Sequence, residues 1–288
     1  MYLSSEQHSS PHSQTIPCRI HTVETLLEPG STSPNEDVLL ENDGLYGVFD
    51  GATSLDAARY CGGLTGGLLA ARIAADTFSE ESGSLKYRAG KANRRIRDTL
   101  LAENIPLNDR HRLWSTSLAV VRLTDDRFEY CQSGDAVILL ITDDGDYRLV
   151  TPEIDIDRET LQLWKDVPHF SKGTIYHHLA EQIHRVRLQM NVSYGVLNGE
   201  PQALDFIHHG YQTLDRVRDI LLFTDGLYPP RETPQNGNDW RGLVNLYRCG
   251  GLPAVRDHVR HLQQTDPSCR KYPRFKQHDD IAAVAIKL

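Results

Sequence analysis

Long apolar runs are missing from this sequence of 288 residues, and none approaches the ~18–20 apolar residues that a membrane-spanning helix needs. The polar stretch from Ser4 to Thr15 also lacks the apolar core of a secretory signal peptide. Basic residues number 31 against 39 acidic ones, which gives a net charge of −8. General affinity for nucleic acids or anionic membranes requires an excess of positive charge, so we expect neither kind of partner.

Cysteine is scarce, and its odd count of five favours reduced thiols in a cytoplasmic protein. The cysteines are Cys18, Cys61, Cys131, Cys249 and Cys269. None has Arg at the offset of a Cys-x5-Arg motif, which argues against a thiol-based phosphatase. The nucleophile elbow Gly-x-Ser-x-Gly and the P-loop Gly-x4-Gly-Lys-[Ser/Thr] are also absent. The remaining chemistry has to come from other side chains.

The organisation of the chain predicts one domain. Residues 1–17 are rich in Ser, His, Gln and Pro and are predicted to form a disordered lead-in. No linker divides residues 18–288, which we interpret as a single domain. Hydrophobic residues make up 39% of the whole chain, which is enough for a core. The less regular region 151–212 is interpreted as an insertion, with a helix over 175–189.

Strands and helices are predicted in separate runs. Helical spacing covers 56–80, 85–104, 240–248 and 253–264; strand patterns cover 45–49, 115–123, 127–132, 136–142, 147–150, 220–224 and 281–286. The separators within 115–150 have hairpin composition, so we expect an antiparallel meander there. Four glycines, Gly62, Gly63, Gly66 and Gly67, predict close packing of another element on the first helix. This order indicates an α+β fold with mainly antiparallel sheets.

Carboxylates stand where the predicted strands end or begin. Asp50 and Asp225 each follow an apolar run, and Asp279 precedes the last strand together with Asp280. If the last strand is antiparallel to the other two, these side chains meet at one sheet edge. Asp135 and the pair Glu36-Asp37 stand at further strand boundaries.

Such a cluster repels itself, so either its pKa values rise or hard cations bind. Ligands that are all oxygen favour Mg²⁺ or Mn²⁺ over zinc. Two such ions ~3.5–4 Å apart can bind a phosphoryl oxygen and activate a water.

The alternative is that these aspartates belong only to turns, because Asp-Gly is a common hairpin signal. The chain has four Asp-Gly pairs, beginning at Asp43, Asp50, Asp144 and Asp225. We interpret the pairs at Asp43 and Asp144 as turns. The other two differ because a buried apolar strand precedes each of them.

Six short motifs occur in the order found in PPM-type (PP2C-like) protein phosphatases, and the resemblance spans about residues 30–288. They are Asn35-Glu36-Asp37, Val48-Phe49-Asp50-Gly51, Ser115-Thr116-Ser117, Ser133-Gly134-Asp135, Phe223-Thr224-Asp225-Gly226-Leu227 and Asp279-Asp280. The resemblance implies an αββα sandwich of two antiparallel β-sheets flanked by helices. It also implies metal-dependent hydrolysis of phosphoserine and phosphothreonine in phosphorylated proteins.

The same resemblance implies a role for each matching residue. Asp50 would bridge two Mg²⁺ or Mn²⁺ ions, and Asp50 and Asp225 are the predicted catalytic residues. Asp225 and Asp279 would complete the first metal site. Glu36 or Asp37, with the Gly51 carbonyl, would hold the second, and Asp135 would match a third, weaker site.

Two departures from the family pattern leave alternatives open. Many members carry a phosphate-binding Arg where this chain has Thr32, and neutral Thr cannot make that charged contact. After Asp50-Gly51, Ala52-Thr53-Ser54 replaces the frequent His-Gly-Gly, so the proposed general acid is absent. Two interpretations compete with a protein phosphatase. One is a catalytically weak or inactive module that binds a partner, and the other is a small-molecule phosphatase.

Overall fold

The computed structural model describes residues 20–52, 58–168 and 173–288. The lead-in predicted over 1–17 lies outside these residues. Within them the chain forms ten strands: β1 (Thr22–Glu28), β2 (Asp37–Asn42), β3 (Leu45–Gly51), β4 (Thr116–Leu123), β5 (Arg127–Ser133), β6 (Val137–Thr142), β7 (Tyr147–Leu149), β8 (His208–Thr213), β9 (Val217–Phe223) and β10 (Ile281–Lys287).

The same ranges contain six α-helices: α1 (Gly66–Glu80), α2 (Leu85–Ala102), α3 (Arg158–Asp166), α4 (Ile175–His178), α5 (Ala180–Arg187) and α6 (Trp240–Gln264). Short 3-10 helices cover Cys61–Gly63, Arg110–Arg112, Pro201–Phe206 and Asp225–Leu227. Helix α6 is interrupted by non-helical backbone at Gly250 and Gly251, which agrees with the two helices predicted there. None of these helices is long and apolar enough to cross a bilayer.

The strands form two five-stranded sheets in which every pair is antiparallel. Sheet I has the order β1-β10-β9-β6-β7, and sheet II has the order β2-β3-β4-β5-β8. Helices α1 and α2 pack on sheet II, and α6 packs on sheet I. The predicted αββα sandwich is therefore confirmed.

Both faces of the central strands are buried, so the core has three apolar layers. The layer between the sheets contains Val48, Ile138 and Val284, all fully buried. Phe49 and Phe223 point the other way, into the layers under α1–α2 and under α6. This explains why β10 is a continuous apolar run instead of an alternating one.

The first helix begins later than predicted. It was expected over 56–80 but starts at Gly66, and residues 53–57 of that range lie outside the described part. Tyr60 and Leu64 form an isolated antiparallel bridge, and Gly62 between them has φ of 71°. The positive φ turns the chain back on itself, which a helix does not permit.

The close packing predicted for four glycines is confirmed for Gly66 and Gly67 but is wrong for Gly62 and Gly63, where an added Cβ would meet no atom within 4 Å. A Cβ added to Gly66 would lie 2.1 Å from Cδ1 of Trp114, and one on Gly67 would lie 2.6 Å from the Ala52 carbonyl oxygen. Both distances are far below ordinary contact. Only glycine lets the N-terminus of α1 approach the end of β3 this closely.

The predicted meander is wrong at its centre. Strands β4 and β5 belong to sheet II, whereas β6 and β7 belong to sheet I, so Ser133-Gly134-Asp135 carries the chain from one sheet to the other. The side-chain amide of Gln132 donates to the carbonyls of Gly134 (2.5 Å) and Ala136 (3.1 Å). These bonds replace the strand pairing that a hairpin would have supplied.

The insertion is shorter than predicted, because residues 208–213 form β8 at the edge of sheet II. Its side chains alternate between half-buried and exposed, but they are polar, so the strand has no apolar signature. The helix expected over 175–189 is divided into α4 and α5.

Candidate active site

One edge of the sandwich gathers five of the predicted site residues. Strand β3 ends there, the turn after β9 lies there, and β10 begins there. A cavity of about 160 Å³ at this edge is lined by Asp50, Gly51, Asp135, Asp225 and Asp279, among others. Asp50 and Asp279 both line this cavity although they are 229 positions apart in sequence.

Glu36 and Asp37 lie behind the cavity wall, where both are almost fully buried. Asp37 stands directly opposite Asp50 in the β2–β3 register, and its Oδ2 accepts a 2.7 Å hydrogen bond from the Thr224 hydroxyl. Glu36 Oε1 is buried and has no hydrogen-bond partner among the residues that the structure describes. A buried oxygen of this kind is available to a cation.

Asp280 fastens the segment before β2 to this edge. Its Oδ1 accepts from the backbone N–H of Gly30 (2.6 Å) and its Oδ2 from that of Glu36 (3.0 Å). Both oxygens are used by backbone, so Asp280 positions Glu36 and Asp37 beside the cavity.

The N-terminus of α1 packs against Glu36 and Gly51 beside the cavity. A Cβ on Gly67 would lie 2.8 Å from Glu36 Oε1, and a Cβ on Gly51 would lie 2.5 Å from the Gly67 carbonyl carbon. The Asp50-Gly51 pair is therefore part of a packed site, whereas Asp43-Gly44 and Asp144-Gly145 occupy turns, as predicted.

Burial, and after it repulsion between like charges, raises the pKa of several carboxyls at the cavity. Burial raises the pKa of Asp50 well above its ordinary range, and the neighbouring carboxylates of Asp37 and Asp225 raise it further. Burial and the charge of Asp279 raise the pKa of Asp225 in the same way. Burial also raises the pKa of Asp37, against the lowering effect of its hydrogen bond from Thr224. Positive charge placed in the cavity would lower the pKa of all three carboxyls at once.

Three further charged residues line the cavity and were not predicted from the sequence: Asp157, Arg187 and Lys276. Burial, with the charge of Asp135, raises the pKa of Asp157 to about 7. Asp157 belongs to the alternating stretch Glu153-Ile-Asp155-Ile-Asp157, a period-two pattern that could have marked it. Lys276 stands only three residues before Asp279, so its position in the sequence could have indicated that it lies near the cavity.

The donor chemistry of the cluster fits divalent cations. Its side-chain donors are all oxygen, Glu36 Oε1 is unpartnered, and the carboxylates face one another at a buried edge. In residues 20–52, 58–168 and 173–288, no three Asp, Glu, His or Cys groups are placed to hold one ion together. The fit is therefore one of ligand type and charge, not of a preformed coordination shell.

The raised pKa values predict how the stability of metal-free protein depends on pH. Burial raises the pKa of Asp135 to about 6, and that of Asp157 is about 7, against 3.8 for an exposed aspartate. The folded state binds these protons more tightly than the unfolded state. The two ionised carboxylates therefore destabilise the fold fully only above their pKa values of about 6 and about 7, and this destabilisation is lost as the pH falls. Together the two groups should add about 2–3 kcal/mol to the free energy of unfolding between pH 8 and pH 5.5.

Thermal denaturation in chelator at both pH values measures this effect. The double variant Asp135→Asn/Asp157→Asn is the matched control and should have a flatter profile. A wild-type protein that loses stability between pH 8 and pH 5.5 would contradict the expectation.

The fold and the site define a two-sheet sandwich with a buried acidic cavity at one edge. The family model described as Protein phosphatase 2C matches residues 30–268. The chain therefore belongs to the protein phosphatase 2C family. The matched region ends before Asp279, which the structure nevertheless places in the same cavity.

Solved bacterial structures share the fold at low sequence identity. The serine/threonine phosphatase PstP of Mycobacterium tuberculosis is 15% identical, with a TM-score of 0.56, covering 93% of this chain and 98% of its own. Stp1 from Staphylococcus aureus is 12% identical, with a TM-score of 0.55 and 99% of both chains covered. PppA of Pseudomonas aeruginosa is 16% identical, with a TM-score of 0.56, covering 92% of this chain and 96% of its own.

The catalytic domain of PstP has also been crystallised in complex with 2 manganese ions. Comparison with curated protein sequences gives no significant match.

Proposed function

We propose that this protein is a metal-dependent phosphatase that hydrolyses phosphoserine and phosphothreonine in proteins. The observation that carries the proposal is the convergence of Asp50, Asp135, Asp225 and Asp279 on one cavity whose carboxylates repel one another. Membership in the protein phosphatase 2C family supports it, as does the manganese bound by the PstP domain of the same fold.

In the proposed site Asp50, Asp225 and Asp279 would hold one divalent ion, and Asp50, the Gly51 carbonyl and either Glu36 or Asp37 would hold a second. Asp135 shares a third, weaker site with Asp225. When bound, Mg²⁺ or Mn²⁺ supplies a water of lowered pKa and neutralises charge on the phosphoryl oxygens. With such a water as nucleophile, no protein nucleophile would be needed: its oxygen would bond to phosphorus while the bond to the serine or threonine oxygen breaks and that oxygen leaves as the protonated alcohol.

The protein's own residues orient this arrangement. The Thr224 hydroxyl fixes Asp37, and Asp280 fixes the backbone of Glu36. Tyr228 donates a 2.5 Å hydrogen bond to the carbonyl of Asp135 and packs edge-on against Trp240. These contacts hold the carboxylates at the cavity before any substrate arrives, which limits the reorganisation needed for reaction.

Removal of divalent ions should abolish the activity. We expect hydrolysis of p-nitrophenyl phosphate and of phosphothreonine peptides in Mn²⁺, with a loss of more than ~100-fold in EDTA that excess Mn²⁺ reverses. A rate that is indifferent to EDTA would contradict the proposal, since the proposed nucleophile is a water that depends on the bound ions.

The alternatives give different results in the same assay. A partner-binding module with this fold has no metal-dependent rate on any phosphomonoester. A small-molecule phosphatase hydrolyses phosphorylated metabolites much faster than phosphopeptides at equal concentration. A panel of both substrate types, with Mn²⁺ present throughout, separates the three functions.

A further inference from the structure

A phosphate monoester entering the cavity meets a surplus of negative charge. Six carboxylates line the cavity: Asp50, Asp135, Asp157, Asp225, Asp279 and Asp280. The basic side chains among the same lining residues are Arg187 and Lys276. Because carboxylates repel a phosphate dianion, a basic side chain at the cavity would strengthen phosphate binding in addition to any metal.

Lys276 is placed deeper and more firmly than a surface lysine. Its Nζ lies 2.8 Å from Asp279 Oδ1, and its side chain is only 13% exposed. An ammonium has three donors, and Asp279 is its one ion-pair partner in the part of the chain that the structure describes.

Noncovalent contacts fix the segment that leads to Lys276. Asp266 accepts from the backbone N–H of Tyr272 (2.9 Å) and from the Arg274 guanidinium (2.9 Å). The Arg270 guanidinium lies 3.4 Å from the Trp164 ring centroid on α3. Lys276 is thereby held between the sheet edge and the insertion, which limits the entropy lost when it binds a ligand.

The same segment runs beside the one that contains Thr32. The Ser31 backbone N–H donates to the His278 carbonyl (2.9 Å), and the His278 N–H donates to the Ser31 hydroxyl (2.7 Å). A cation at position 276 therefore approaches the site from the strip of backbone next to position 32. Arg187 comes instead from the insertion, where its charge acts on Asp157 and lowers the pKa of that carboxyl.

We propose that Lys276 binds the phosphate group of the substrate, supplying the charged contact that Thr32 cannot make. This inference rests on the proposed phosphatase function. The ammonium donates to a phosphoryl oxygen while it remains paired with Asp279, so it links the substrate to the carboxylate cluster.

Lys276→Met, Lys276→Arg and the control Lys271→Met test the proposal in the full chain. Lys271 lies five residues earlier, with a side chain 56% exposed beside Glu232. We expect Lys276→Met to raise both the KM for p-nitrophenyl phosphate and the inhibition constant of inorganic phosphate by about 10- to 100-fold. Lys276→Arg should recover most of the phosphate affinity, and Lys271→Met should match the wild type.

An unchanged inhibition constant for phosphate in Lys276→Met would overturn the proposal. So would a variant in which only the Mn²⁺ concentration needed for activation changes, since Lys276 would then merely neutralise Asp279. If the wild type hydrolyses no phosphomonoester, the proposed function fails by itself. Thermal stabilisation by inorganic phosphate in Mg²⁺ then still decides whether Lys276 binds phosphate: loss in Lys276→Met supports it, and retention refutes it.

Discussion

Asp50→Asn and Asp225→Asn should each lower kcat/KM for p-nitrophenyl phosphate in Mn²⁺ by ~10³-fold or more, equivalent to about 4 kcal/mol of transition-state stabilisation. Each substitution keeps the shape of the side chain and removes one charge from the centre of the cluster. Asp50 interacts with Asp37, Asp135, Asp225 and Asp279, and Asp225 interacts with Asp37, Asp135, Asp157 and Asp279, so each charge acts on several carboxylates. Metal affinity and rate should fall together.

The same variants should be more stable than the wild type without metal. Removing one of several buried like charges relieves repulsion, so the melting temperature in EDTA should rise while the stabilisation by Mn²⁺ shrinks. Asp144→Asn is the matched control, because it alters an Asp-Gly pair in an exposed turn. Wild-type rates in both cavity variants would refute the assignment of Asp50 and Asp225.

Gly226→Ala should be the most damaging single methyl group in this chain. The added Cβ would lie 1.8 Å from the carbonyl oxygen of Asp280 and 2.8 Å from its carbonyl carbon, and both are backbone atoms that cannot swing away. Relief requires Asp280 to move, and with it Gly30 and Glu36, which its carboxylate holds. We expect a loss of about 3 kcal/mol or more in the free energy of unfolding.

Chemical denaturation and the Mn²⁺-dependent rate measure the two consequences of that shift. The rate should fall more than 100-fold even in the fraction that remains folded, because Asp225 and Asp279 flank the displaced backbone. This loss corresponds to an increase on the order of 3 kcal/mol in the activation free energy. Gly237→Ala is the control: a Cβ there meets no atom within 4 Å, so its stability should stay within about 0.5 kcal/mol of the wild type. A Gly226→Ala protein as stable as Gly237→Ala would contradict this view of the edge.

Local patterns in the sequence were sufficient to predict most of the strands, whereas the sandwich was predicted from the family resemblance. The apolar runs that became β3, β9 and β10 are buried on both faces, so they needed no partner to be recognised as strands. Asp225 and Asp279 lie together because β9 and β10 are antiparallel neighbours in sheet I, as predicted. Asp50 ends β3 of sheet II, so it reaches them through the packing of the two sheets and not through strand pairing. The pairs at Asp43 and Asp144 were distinguished as turns by the polar residues around them.

Tertiary structure alone decided which elements and charges meet. Strand β8 is polar and becomes a strand only by pairing with β5, so no hydrophobic period could reveal it. The link at Ser133-Gly134-Asp135 has the composition of a hairpin, and only the packing of two sheets makes it a crossover. Asp157 and Lys276 reach the cavity because the insertion and the segment before β10 fold against each other. Sequence spacing encodes turns and periodicity, whereas the charge that surrounds a buried side chain depends on chain segments far away.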